Sequence, residues 1–527
     1  MNSEKYFVLH DSCKLVDGAV RGAIYSLKSG DVYSINKNAR IFLNSLLQGN
    51  LIHDLVAEYG NLSKEYIEFL HQLERLELGY FSDSWNKSKD ENLNVKYAMP
   101  LNFIWLELTS RCNNKCIHCY SESSKTINND KLNLNDWKSI IKQGADLGCR
   151  NLQFIGGEPL LYKNIKDLII FAQNQKYQFI EVFTNATLID DNWVEFFSKY
   201  GINIATSLYS DNLQTHDRIT QRVGSHKKTV SAIKKLIESN VKVRVASILM
   251  KQNENEVNSL MKYLSTLHVN YRYPDIVRPT GRGNNKELLP KTYDRGKTNK
   301  LFRTNYRSYI HNKNWNSCLA GKIVVTSNGN VYPCIFLRTE SFGDIRITKL
   351  KDIIEKSAIK ECWSITLDKV EGCRKCEYRY ACFDCRPLAQ ANDSEKKWLA
   401  KPQWCQYEPT IGKENNTADV LEIKNLSYYA NSYENNVQLT GEWDCHPRCT
   451  PSSGSGGPGC YPSCNPKCGP DTCSPNCDPA CNVTCSPEYC NPSCKPNISS
   501  ESDYDDCGPN SSGSGCGPEE CCFPRNG

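Results

Sequence analysis

Cys112-Asn113-Asn114-Lys115-Cys116-Ile117-His118-Cys119 puts three thiols on one loop, directly after the strand-like apolar run Phe103-Ile104-Trp105-Leu106-Glu107-Leu108. Three thiolates can hold three irons of a cubane 4Fe–4S cluster, and the fourth iron then lacks a protein ligand. A cluster that only transfers electrons normally has four cysteines, so a shortage of one reserves a position for a substrate or cofactor. A zinc knuckle draws on the same residue type, and the spacing by itself leaves both readings open.

The segments beyond the loop narrow the fold. From Ala98 to about Gly283, strand-like and helix-like segments alternate, the pattern of parallel βα units. Leu134, Trp137, Ile140, Ile141 and Leu147 share one helical face, with Asn133 in position to cap it. Strands are expected at Leu152–Ile155, Phe179–Phe183, Ile202–Ser207, Val241–Met250 and near Tyr271–Val277, before Arg278-Pro279-Thr280-Gly281-Arg282-Gly283. Six such units make an α/β partial (βα)6 barrel with its chemistry at the C-terminal strand ends. At those ends stand Gly156-Gly157-Glu158-Pro159, Asn185, Ser207 and, a little beyond, Arg222. Glycines lacking a Cβ let backbone come close to a ligand, and Glu158 adds a carboxylate beside them.

The cysteine loop and this GGEP strand end resemble the radical SAM enzymes. The resemblance implies that Cys112, Cys116 and Cys119 bind a 4Fe–4S cluster and that S-adenosylmethionine fills the open iron. It places Gly156, Gly157 and Glu158 at the amino group of S-adenosylmethionine, and Asn185, Ser207 and Arg222 near its carboxylate or ribose. In the family the residue at His118 meets adenine through its backbone, so His118 receives no catalytic role. Sulfatase-maturing relatives continue the fourth strand as Ser-x-Asp-Gly. Here it runs Ser207-Leu208-Tyr209-Ser210, so the acid of that branch is missing. No residue is assigned as catalytic acid or base.

The chain holds 28 cysteines, thirteen before residue 441 and fifteen after it. Residues 316–412 contain Cys318-x10-Gly329-x4-Cys334, then Cys373-x2-Cys376-x5-Cys382-x2-Cys385, then Cys405. This order resembles the SPASM extension of radical SAM peptide maturases, with a last gap of two where three is usual. The resemblance implies two auxiliary clusters. Cys373, Cys376, Cys382 and Cys405 would hold the second. Cys318, Cys334 and Cys385 would hold the first, leaving one position for Cys362 or a substrate thiolate. A pair of zinc ribbons is the alternative use of such CxxC pairs.

Residues 1–90 read as a separate domain. Strands at Tyr6–Leu9, Ala23–Leu27 and Val32–Ile35 precede three helical stretches that end near Gly79. The order resembles a RiPP recognition element, a winged-helix module that captures leader peptides by strand addition. A plain winged-helix domain is the alternative. No compact basic stretch argues for nucleic acid at a net charge of +5. No apolar run spans a bilayer, and the N-terminus lacks a signal-peptide layout, so the expected compartment is the cytoplasm.

After a mixed linker at 413–440, residues 441–527 become Cys, Pro, Ser, Gly and Asn, with too few apolar side chains to bury a core. Four Lys and Arg against eleven Asp and Glu give this tail −7, leaving +12 for the rest of the chain. Cys460, Cys464 and Cys468, then Cys473, Cys477, Cys481 and Cys485, recur every four residues, mostly as Cys-x-Pro-x-Cys, and proline forbids a helix there. The tail resembles the Cys-rich repeat peptides modified by certain radical SAM–SPASM maturases. A metal-binding tail, a disulfide-rich appendage and a cluster-delivery segment share its composition. The combined resemblance implies a maturase that takes hydrogen from a Cys-rich ribosomal peptide and installs thioether crosslinks. Its peptide would be supplied in trans or by this tail, and its electrons by a flavodoxin or ferredoxin. Carbon–carbon crosslinking, epimerisation, oxidation and a non-enzymatic iron–sulfur or metal-storage role are the competing outcomes.

Overall fold

The computed structural model describes residues 5–57, 63–85, 98–291, 303–403, 405, 407–411, 421 and 423–425. The repeats of the 441–527 tail lie outside these residues, as does most of the 413–440 linker.

The N-terminal domain runs β1 (Tyr6–Leu9), β2 (Cys13–Asp17), β3 (Gly22–Ser26), β4 (Val32–Ile35), α1 (Lys37–Leu47), α2 (Ile52–Ala57), α3 (Ser63–Arg75) and β5 (Gly79–Ser82). The three expected strands and three helices are present, and two further strands, β2 and β5, join them. Strands β2, β3 and β4 form an antiparallel meander, while β1 pairs with β5. Phe42, Leu43 and Leu46 of α1 and Leu70 and Leu73 of α3 fill the core against Phe7, Ile24 and Ile35. The other face of the meander meets the cysteine-rich region. The Tyr25 hydroxyl donates to the Glu377 carbonyl at 2.8 Å, and the Tyr378 hydroxyl donates to Ser34 Oγ at 2.7 Å.

The central fold is built from β6 (Phe103–Glu107), α4 (Leu134–Asp146), β7 (Asn151–Ile155), α5 (Ile165–Asn174), β8 (Phe179–Phe183), α6 (Asp191–Lys199) and β9 (Asn203–Ser207). It continues through α7 (Leu213–Thr220), α8 (Ser225–Glu238), β10 (Val243–Ala246), β11 (Ile248–Leu249), α9 (Val257–Thr266), β12 (Asn270–Tyr271) and β13 (Asp275–Ile276). Strands β6 to β10 and β12 lie parallel in the order β12-β10-β9-β8-β7-β6, the open barrel the alternation implies. Asn133 caps α4 in a full capping box with Asp136. The fifth and sixth expected strands each break in two, with β11 pairing β13 apart from the main sheet.

Pleat alternation sorts each strand. Ile104 and Leu106 face the helix layer with Trp137, Leu168 and Leu236, while Phe103 and Trp105 face inward with Ile155 and Phe179. The inward face also carries charge. Glu181 is bonded by Gln153 and by Arg244, whose Nη2 lies 2.9 Å from Oε2.

The third region runs α10 (Tyr306–Asn314), β14 (Lys322–Val325), β15 (Asn330–Tyr332), β16 (Gly343–Asp344), α11 (Leu350–Glu355), α12 (Ser357–Trp363) and α13 (Arg386–Asn392). Its hairpin is no separate appendage. β14 pairs in parallel with β6, so β14-β15-β16 continue the barrel sheet into nine strands. The last described element, β17 (Ile423–Asn425), returns to the N-terminal domain and pairs antiparallel with β4. The 413–440 stretch therefore includes a strand where a mixed linker was expected.

Candidate functional site

The cysteine loop sits at the C-terminal end of β6 and is held by backbone on two sides, the Ser124 segment and the end of α7. Cys112 N–H donates to the Ser124 carbonyl at 3.0 Å, Lys115 N–H to Thr220 at 3.1 Å and Ile117 N–H to Ile219 at 3.0 Å. Arg282 closes the back of the loop, its Nε donating to the Cys116 carbonyl and its Nη2 to the Ser123 carbonyl, both at 2.8 Å. The three thiols feel one another electrostatically. Burial, reinforced by the Glu158 charge, pushes the Cys112 thiol up to about 12. Burial also pushes Cys116 well up, with Cys119 and Cys112 adding to it.

The expected cofactor residues gather on the same loop. Gly157 N–H donates to the Thr109 carbonyl at 2.7 Å and Glu158 N–H to Arg111 at 2.8 Å, so the glycine pair admits the backbone that leads into the cysteine loop. Glu158 is fully buried. It accepts from Thr184 Oγ1 at 2.6 Å, Asn185 N–H at 2.8 Å and Leu160 N–H at 3.1 Å. Burial raises its carboxyl to about 7 against those hydrogen bonds and the Arg222 charge. Asn185 Nδ2 donates to Asn113 Oδ1 at 2.7 Å and lies 3.8 Å from Cys112 Sγ. Arg222 Nη1 reaches the Asn113 carbonyl at 3.3 Å. Ser207 lies beside Tyr209, whose ring meets His118 edge-on at 4.7 Å. Burial, with Arg282 beside it, lowers His118 to about 4, so its imidazole is neutral at pH 7.

This network makes a direct prediction for Glu158→Gln. In either amide orientation the NH2 faces a backbone N–H, that of Leu160 or of Asn185. The unpaired donor is expected to lower unfolding stability by about 1–3 kcal/mol. A urea midpoint unchanged from wild type refutes this.

Apart from Cys13 and Cys149, which sit in the hydrophobic cores of the N-terminal domain and the barrel, the other described cysteines lie in two groups. Cys373 interacts electrostatically with Cys382 and Cys405, and Cys376 with Cys382 and Cys373. In the first set Cys334 interacts with Cys385, and Cys362 with Cys334. Cys318, Cys334 and Cys385 are 1%, 2% and 2% exposed, too enclosed to serve as surface thiols. Among the described residues none of the thirteen cysteines up to Cys405 is disulfide-bonded.

Asn316 fixes the segments that carry this first set. Its Oδ1 accepts from Cys318 N–H at 3.0 Å and Leu319 N–H at 2.9 Å. Its Nδ2 donates to the Ile365 carbonyl and to Asp384 Oδ2, both at 2.9 Å, while its N–H donates to the Trp363 carbonyl at 2.7 Å. One buried amide thus ties the turn of Cys318 to the neighbours of Cys362 and Cys385. Asn316→Ala is expected to cost about 1–3 kcal/mol of stability and to weaken iron retention about 10–100-fold. Iron and sulfide analysis after chelator challenge measures this, and wild-type retention counts against it.

Sequence reasoning missed the residues that join these sites. Arg278 Nη1 lies 3.1 Å from Cys385 Sγ, and Arg338 pairs with Glu107, which also accepts from the Tyr120 hydroxyl at 3.3 Å. Tyr120 follows Cys119, Glu107 ends β6 and Arg338 stands four residues after Cys334, so this chain of contacts runs between two thiol groups. The available signal was Arg278 and Arg282 in the glycine-rich turn after the sixth strand.

The donor sets fit iron–sulfur clusters: they are grouped cysteines, with Cys112, Cys318, Cys334 and Cys385 buried and Cys116, Cys119, Cys373, Cys376, Cys382 and Cys405 half-buried. Among the described residues no three His, Cys, Asp or Glu side chains converge on a single-ion site.

The sequence profile of the Radical SAM superfamily matches residues 106–264, and that of an iron–sulfur cluster-binding domain, SPASM, matches residues 318–377. The chain is similar to the AdoMet-dependent heme synthase of Methanosarcina barkeri, with 24% identity over 58% of this chain and 95% of that protein. It is also similar to the antilisterial bacteriocin subtilosin biosynthesis protein AlbA of Bacillus subtilis, with 27% identity over 55% of this chain and 68% of that protein. Among solved structures it aligns with Streptococcus suis SuiB bound to precursor peptide SuiA, at 18% identity and a TM-score of 0.46, over 76% of this chain and all of that one.

Proposed function

We propose that this chain, a radical SAM enzyme with a SPASM domain, matures a Cys-rich ribosomal peptide by installing carbon–sulfur thioether crosslinks. Its radical SAM domain uses a 4Fe–4S cluster and S-adenosylmethionine, and its SPASM domain carries auxiliary iron–sulfur clusters. When bound, the reduced cluster and S-adenosylmethionine supply a carbon radical able to take hydrogen from a peptide C–H bond.

The observation that carries this reading is the linked pair of thiol groups. Tyr120, Glu107 and Arg338 connect the Cys112/Cys116/Cys119 loop to the Cys334/Cys385 group across the end of β6. An oxidative crosslink needs both partners, one site that removes hydrogen and a second that accepts the remaining electron. We assign Cys112, Cys116 and Cys119 to the first cluster. Gly156, Gly157, Glu158, Asn185, Ser207 and Arg222 form the S-adenosylmethionine side. Cys373, Cys376, Cys382 and Cys405 are assigned to one auxiliary cluster, and Cys318, Cys334 and Cys385 to the other, with Cys362 or a substrate thiolate completing it. The inward aromatics Phe103 and Phe179, at the starts of β6 and β8, fill the barrel interior with Trp105 on the side away from the cysteine loop. Arg244 and Arg338 are held by Glu181 and Glu107 on the same side of the sheet and orient the peptide.

The name of AlbA, a subtilosin biosynthesis protein, supports a peptide substrate. The nearest candidate is the chain's own tail, with the N-terminal domain as leader-binding module and flavodoxin or ferredoxin as donor. Mass spectrometry of the chain after reaction with S-adenosylmethionine and reductant tests this. Each thioether removes two hydrogens and one alkylatable thiol. Loss of two hydrogens with every thiol retained means carbon–carbon crosslinking or oxidation, and an unchanged tail mass with and without an added Cys-rich peptide defeats the reading.

A further inference from the structure

The chain covers the sheet edge at which leader capture is expected with a strand of its own. The N-terminal sheet runs β17-β4-β3-β2, so β4 would be its outer strand without residues 423–425. The register is antiparallel, with Ile423 opposite Ile35, Lys424 opposite Ser34 and Asn425 opposite Tyr33. Leu421 and Ile423, two residues apart and therefore on one face, pack against the apolar core of the domain. The β-branched pair Ile423 and Ile35 is the kind of cross-strand contact that fixes register. Backbone pairing along an edge with alternate side chains in apolar contact is strand addition, here made by the chain itself.

Position in the sequence gives the contact a purpose. The first cysteine of the tail, Cys445, comes twenty residues after Asn425. Twenty residues span up to about 70 Å when extended, further than the width of a domain of several hundred residues. A strand anchored beside the domain core, then a spacer, then repeated cysteines is the layout of a recognition sequence followed by the segment it presents.

We propose that residues 421–425 are an internal recognition strand that docks the chain's own tail for modification and makes any peptide supplied in trans compete for the β4 edge. This rests on the reading of the N-terminal domain as a leader-binding module. Intramolecular docking of this kind gives an effective concentration in the millimolar range, so a free peptide binds with its affinity reduced by the small fraction of open edge.

Ile423→Asp in the full-length, cluster-loaded chain tests it, with Lys424→Pro as a second variant that attacks backbone pairing. Amide exchange is expected to rise about tenfold or more at Val32–Ile35 while the β2–β3 pairing keeps its protection. A synthetic peptide of residues 418–428 is expected to bind the variants about tenfold or more tightly than wild type. Tail modification should fall by a similar factor, with 5′-deoxyadenosine formation within about twofold of wild type. Unchanged exchange at β4, or a peptide that binds wild type and variants alike or not at all, overturns the proposal. An unmodified wild-type tail overturns the crosslinking reading instead, and the exchange and binding measurements still judge the strand.

Discussion

Cys112→Ala is expected to abolish 5′-deoxyadenosine formation, a loss of at least about 10³-fold, beyond the 10–100-fold typical of residues that only support a ligand. The auxiliary thiols are untouched by the change, so iron content should drop by about one cluster while the Cys373/Cys376/Cys382/Cys405 set keeps its spectrum. The thiol has a second signature. Burial holds Cys112 at about 12 against an ordinary 9.0, with Glu158 as the next contributor. The folded value lies above the unfolded one. Stability from the buried neutral thiol is therefore complete below pH 9 and is lost as pH rises towards 12. Metal-free wild type should thus lose stability over that range, and Cys112→Ala should lose less. Cluster loading removes the proton from each thiol, so reconstitution should run faster at pH 8.5 than at pH 7. Wild-type levels of 5′-deoxyadenosine in the alanine variant would remove Cys112 from the site.

Much of this arrangement was legible because its signals are local. Asn133 followed by Asp136 writes a capping box into four residues, and the continuous apolar run from Phe103 to Leu106 marks a strand packed on both faces. The cysteine groups could be sorted by spacing because ligands on one loop must be close. Contacts between distant segments left no such mark. Lys322–Val325 reads as an ordinary short strand, and nothing in it names Phe103–Leu106 as its partner. Glu107 reads as a lone carboxylate in an apolar run until Arg338, 231 residues away, is placed against it. β17 was hidden by its polar surroundings, since a three-residue edge strand is held by backbone and two apolar side chains. The glycine pair was recognised by its motif, but its nearest neighbours in the protein are the backbone atoms of the cysteine loop's own lead-in.

Those neighbours make Gly157→Ala the second most damaging substitution, though it alters no thiol. A Cβ at position 157 would lie 2.1 Å from the Arg111 carbonyl oxygen, 2.5 Å from its carbon and 3.0 Å from the Ser110 oxygen. All three are backbone atoms, so no side chain can swing aside. Relief requires the segment immediately before Cys112 to retreat by more than about 1 Å, and overpacking of this kind costs about 1–3 kcal/mol. Retreat also breaks the bonds from Gly157 N–H to Thr109 and from Glu158 N–H to Arg111. A misplacement of about 1 Å at reacting groups is worth about 10²-fold in rate, so 5′-deoxyadenosine formation should fall by that factor or more. Gly148→Ala is the control. Its φ of +86° carries the strain of an L residue in that region, but nothing lies within 4 Å of the added methyl. It should lose about 1 kcal/mol of stability and keep its rate. If both variants lose activity equally, general destabilisation is the cause. If neither does, the contact between the glycine pair and the lead-in to the cysteine loop is not what positions the cluster.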